Sequence, residues 1–150
     1  MKLKVPPPIL FLSTGLMMFL TARYVPLGQW SWSGAGIVSK LFFVLGFFCA
    51  FPATWQFRKL RTTIDPRNPQ QTSTLVRTGL YRISRNPMYL GLLLVLVGWF
   101  FHLGQAGNLL WLLGFVIWMN RFQIKAEEEA LAQKFGAEYE EYKKQVRPWL

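Results

Sequence analysis

The chain has 150 residues, enough for one domain, and is 52% hydrophobic and 17% aromatic with only 16% charged residues. A soluble domain of this size could not bury that much apolar surface, so the composition selects an integral membrane protein. The formal charge of +10 does not mark a nucleic-acid binder, because the basic residues interrupt apolar runs instead of forming one solvated face.

Four apolar segments follow in chain order, at about residues 5–22, 35–57, 88–103 and 108–124. A spanning helix needs about 20 mostly apolar residues, and fewer where flanking side chains snorkel. The first segment, behind Lys2 and Lys4, competes with a secretory signal peptide, but its proline triplet and poor cleavage site favour a helix. The second is long enough to span alone. Cys49, within it, is the single cysteine, which excludes an intramolecular disulfide and a cysteine zinc site. The connection over residues 58–87 carries Arg58, Lys59, Arg61, Arg67, Arg77, Arg82 and Arg85 against one acid, Asp65, and its Pro, Thr and Asn content predicts an irregular loop. Segments three and four are separated by Gly104-Gln105-Ala106-Gly107 alone, which predicts a tight helical hairpin. The first connection carries only Arg23 and the hairpin tip no charge, so the basic excess puts both termini and the central loop in the cytoplasm. Beyond Ala126, Leu131, Phe135, Tyr139, Tyr142 and Val146 recur every three or four residues, the pattern of an amphipathic helix bent at Gly136, with its stripe toward the membrane or the hairpin.

The expected fold is all-α integral membrane: about four transmembrane helices, the last two a tight hairpin, plus a C-terminal cytoplasmic amphipathic helix. One domain covers residues 1–150, with two helices in 1–57 and the functional core in 58–150. The expected location is a bacterial inner membrane.

Two constellations carry chemistry. Asn86 is a favoured N-cap and Pro87 suits the first helical position, so Arg85-Asn86-Pro87 starts the third helix. That is a capped helix at the interface with Tyr89 as an interfacial aromatic, or, with Arg85 beside the positive helix end, a seat for a carboxylate or phosphate. The second is Arg121 with Glu127-Glu128-Glu129. On a continuous helix Arg121 and Glu128 share a face. The acids are a solvated helix start, or they bind a cation or ribose hydroxyls. The sequence contains no phosphate loop, no dinucleotide fingerprint and no nucleophile elbow. His102 is the single histidine, and no metal site is expected.

"LVRTGLYRISRNPMYLG" (75–91) and "EEEALAQKFGAEYEEYKKQV" (127–146), separated by one apolar hairpin, resemble the isoprenylcysteine carboxyl methyltransferase family. That family belongs to a wider group of small integral-membrane methyltransferases that includes phospholipid N-methyltransferases. The resemblance implies a cytoplasm-facing S-adenosylmethionine pocket. In it, Gly79, Tyr81, Asn86, Pro87, Tyr89, Gly91, Glu127 and Glu128 would hold the cofactor, and Arg85 and Arg121 would serve catalysis. The family's usual histidine is Asn86 here, so acid–base chemistry through that position is unavailable. The implied partners are the lipid bilayer and a lipophilic or lipid methyl acceptor, with no nucleic acid. A non-catalytic protein of the same fold and a nicotinamide-dependent reductase are the rival classes.

Overall fold

A computed structural model describes residues 5–25, 27–59 and 74–150, and for 56–59 the backbone alone. The predicted irregular loop therefore lies partly outside the described residues, as do Lys2, Lys4, Asp65 and the side chains of Arg58, Lys59, Arg61 and Arg67. Among the described residues every regular element is helical, with two isolated bridges.

Helix α1 (Pro7–Tyr24) begins where prolines occupy the first turn, positions whose missing N–H would be unpaired anyway. Helix α2 (Ala35–Lys59) contains a 21-residue stretch, Ala35–Trp55, long and apolar enough to cross a membrane, and that stretch is mostly exposed. A short 3-10 turn (Gly79–Arg82) leads to α3 (Pro87–Leu103), and a second (Ala106–Asn108) leads to α4 (Leu109–Trp118). The helix then continues through a π turn (Met119–Ile124) into α5 (Lys125–Phe135). Gly136, at φ +52°, breaks it as expected, and α6 (Ala137–Gln145) follows.

Two packing modes join the helices. Met18 of α1, Tyr89 and Leu96 of α3, and Leu112 and Phe115 of α4 form the main core with Met119 and Ile124. Helix α2 meets α3 through glycine: a Cβ on Gly91 would lie 2.8 Å from Ala50 Cβ, from Ala50 N and from Gly46 O, and one on Gly98 would lie 2.9 Å from Ser39 O. Backbones approach this closely only where side chains are missing. At one end the two short connections are knitted together, with Trp30 N donating to Gly104 O, Ala106 N to Gly28 O and Gly107 N to Leu27 O, all at 2.9–3.0 Å.

The amphipathic stripe of the tail does not pack on α3 or α4. Tyr139, Tyr142 and Val146 are buried against Leu75, Leu131, Ala132 and Phe135, so the stripe closes on the segment entering α3. That contact assembles the polar cluster.

Candidate functional site

The cluster is built from two stretches far apart in sequence. Gly79, at φ +62°, opens the 3-10 turn that buries Tyr81 against Ala53 and Val76. The chain then turns into α3 through Ser84, Arg85 and Asn86, with Pro87 fully buried at the first position. From the other side come α5, α6 and the last residues. Tyr142 Oη donates to Tyr81 O at 2.6 Å, and Arg85 N donates to Arg147 O at 2.9 Å.

Arg85 is the hub. Its Nη2 pairs with Glu128 Oε1 at 2.6 Å, and Nη1 donates to Lys143 O and Val146 O at 3.0 and 2.9 Å. The side chain is 9% exposed, and its Nε has no partner. Asn86 stands at the N-cap position, but its side chain does not cap α3. It donates Nδ2 to Pro148 O at 3.0 Å, while its own N–H goes to Ser84 Oγ at 3.1 Å. The expected capping role is thus replaced by a tie to the C-terminal segment, which lies across the start of α3.

Glu127 sits deeper. Tyr89 Oη and Gln123 Nε2 both donate to its Oε1, and Gln123 Nε2 also reaches Tyr89 Oη at 3.1 Å. Burial pushes the carboxyl up to about 7, the two hydrogen bonds pull it down, and the neighbouring Glu128 charge adds to the rise. Among the described residues no basic group pairs with it. Burial also raises the Tyr81 phenol, with Tyr142 and Glu127 adding to the rise.

The π turn explains which side chains point inward. Its i→i+5 bonding puts an extra residue into the turn, so the adjacent Gln123 and Ile124 are both buried, and Glu127 and Glu128 follow one turn later. Arg121 is left exposed, its guanidinium 5.8 Å from the Phe122 ring centroid. The face shared by Arg121 and Glu128 on a regular helix does not exist here. Gly91 is likewise placed at the α2 contact rather than among the polar groups.

Of the expected site residues, Tyr81, Arg85, Asn86, Tyr89, Glu127 and Glu128 are brought together, with Gly79 and Pro87 shaping the backbone. Gln123, Tyr142 and the carbonyls of residues 146–148 were not anticipated. Gln123 had one signal, a polar residue four positions before Glu127 at the end of an apolar run; the carbonyls had none, since every residue carries one. Separate from the cluster, an apolar groove of about 350 Å³ runs along α2, lined by Phe47, Ala50, Phe51, Thr54 and Trp55. Thr54 Oγ1 lies 3.5 Å from Met88 Sδ at the start of α3.

The family model described as phospholipid methyltransferase matches residues 35–138, from α2 to the start of α6. An uncharacterised protein of Haemophilus influenzae is 48% identical over 63 residues, which is 42% of this chain and 100% of that protein. No solved structure matches. The matched family is one of membrane methyltransferases, which generally use S-adenosylmethionine. With the match extending over more than half of its length, the chain belongs to the phospholipid methyltransferase family.

Proposed function

We propose that this protein transfers the methyl group of S-adenosylmethionine to a lipophilic or membrane-embedded acceptor (a carboxylate, lipid amine or thiol) at the cytoplasmic face. In this reading four helices span the membrane, α3 and α4 form a tight hairpin, and both termini are cytoplasmic. The observation that carries it is the meeting of Arg85 and Tyr89 with Glu127 and Glu128 in one partly buried cluster, at the start of one apolar helix and the end of another.

The residues suit the cofactor's amino-acid end. A largely buried guanidinium retains one unpaired donor, Arg85 Nε, and the half-buried Glu127 carboxylate has no counter-ion among the described residues. When bound, S-adenosylmethionine supplies an electrophilic methyl on a cationic sulfur, whose charge disappears during in-line displacement. The protein's part is then orientation and exclusion of water, and proximity alone is worth roughly 7–11 kcal/mol. Arg85 holds the carboxylate end, Glu127 and Glu128 hold cationic or hydroxyl groups, and Tyr89 fixes Glu127. Arg121, facing outward, orients an anionic acceptor or its headgroup at the rim. The groove on α2 takes the acceptor's apolar chain, because its wall at Ala50 and Thr54 flanks Ala53, which packs on Tyr81.

Calorimetric titration of detergent-purified protein with S-adenosylhomocysteine, followed by a labelled-methyl screen against membrane lipid extract, tests this reading. Saturable heat and a labelled lipid product are expected. Absence of both would favour a non-catalytic protein of this fold, a reading supported by the bonds Arg85 already makes to Glu128 and the tail.

A further inference from the structure

Gln123 has no part in the proposal above, although it is fully buried inside the cluster. Its Nε2 is engaged twice, with Tyr89 Oη and with Glu127 Oε1. Its Oε1 accepts nothing. Flipping the amide offers no remedy, since it would set the amide oxygen against the Glu127 carboxylate. A buried carbonyl without a donor is costly unless something else pairs with it.

Glu127, one turn later, has the complementary deficit. It receives only neutral donors, while Arg85 is committed to the neighbouring Glu128. Burial raises its pKa to about 7, and no basic side chain offsets the rise. On successive turns, then, Gln123 Oε1 has no donor and the Glu127 carboxylate has only neutral ones, so a single donor that is also positively charged would serve both. A ribose diol would bring hydrogens without charge. A primary ammonium brings both.

We infer that Gln123 Oε1 and the Glu127 carboxylate together form the seat of the α-ammonium group of S-adenosylmethionine. This rests on the methyl-donor reading above and adds a binding residue to it. Tyr89 keeps Glu127 in place, and the unpaired Arg85 Nε is left for the accompanying carboxylate.

The test is a cycle between protein and ligand. S-adenosylhomocysteine and its analogue lacking the α-amino group are each titrated into wild type and Gln123→Met, with thermal melts as a folding control. In wild type, loss of the amino group should weaken binding about tenfold or more, as expected for a hydrogen bond to a charged group. In Gln123→Met, S-adenosylhomocysteine should bind about tenfold more weakly, and loss of the amino group should then cost several-fold less than in wild type. If Gln123→Met does not fold, Gln123→Asn, which withdraws the acceptor by one methylene, enters the same cycle. An equal cost of amino-group removal in both proteins would overturn the inference alone. Wild type binding neither compound would overturn the methyl-donor reading and the inference with it.

Discussion

Asn86 shows how much one side chain's partner matters. Read from sequence it caps α3, and Asn86→Asp, an equally good cap, should then be harmless. In the fold its Nδ2 donates to Pro148 O, and an aspartate would set a carboxylate against that carbonyl. Asn86→Asp should therefore lower stability by about 1–3 kcal/mol, while Asn86→His, which keeps a ring N–H, should lose less. Denaturant melts of both variants rank them, and the opposite order would return the side chain to capping. Glu127 gives a pH-dependent counterpart. Its carboxyl, at 4.5 when free, is lifted to about 7 by burial. An acid raised in the folded state contributes stability that is fully present below pH 4.5 and is lost as pH rises through about 7. The swing is on the order of 3 kcal/mol. Glu127→Gln should flatten this decline and melt higher than wild type at pH 8, yet bind S-adenosylhomocysteine about 10- to 150-fold more weakly. Melts at pH 5 and 8 check the first half. A variant melting lower at pH 8 would show that burial does not disfavour the charged form.

Among the elements, the α2–α3 contact and the π turn do most to place the cluster. An alanine at Gly91 would thrust a methyl to 2.8 Å from Ala50 N and Gly46 O, backbone atoms that can yield only if the helices separate. Gly91→Ala should cost about 1–3 kcal/mol. Gly114, on α4, has open space where its Cβ would be, and Gly114→Ala should be neutral or stabilising by about 0.5–1 kcal/mol. Thermal melts in one detergent compare the pair directly; equal effects would mean that α2 and α3 do not pack through Gly91. The π turn acts differently, rotating Arg121 outward while Gln123, Glu127 and Glu128 face the core.

At the scale of the whole molecule, the apolar surface is too extensive for water. Ile37, Val44, Phe47, Phe48 and Phe51 of α2 are all more than half exposed, as are Leu12 and Leu16 of α1 and Leu110 and Ile117 of α4. Such a belt is stable in lipid. The cluster and the Gly104–Asn108 turn lie at opposite ends of α3, so the proposed topology, with α3 spanning and the cluster cytoplasmic, puts that turn outside. Gln105 is fully buried there, but Ala106 is exposed and suits chemical labelling. Ala106→Cys, in a background with Cys49 replaced, should react with an impermeant maleimide on intact cells. Glu141→Cys, exposed on α6, should react only after lysis. The reverse pattern would put the cluster outside and remove its access to cytoplasmic cofactor.

The helical elements were legible because their signals are local. Pro87 starts α3, Gly136 ends α5, and the three- and four-residue spacing from Leu131 to Val146 marks a buried stripe wherever it packs. The motifs holding Arg85, Tyr89, Glu127 and Glu128 were legible too, since residue types at fixed spacing carry the resemblance. Three other features were decided by tertiary structure. What the tail stripe covers depends on which surface the chain returns to, and it returns to Leu75 and Tyr81. Pro148 O displaces the cap of Asn86 because a backbone carbonyl leaves no mark in a residue pattern. Arg121 turns outward and Gln123 inward because one wide turn changes the hydrogen-bond register of the helix between Met119 and Ile124, two residues that pack in the core.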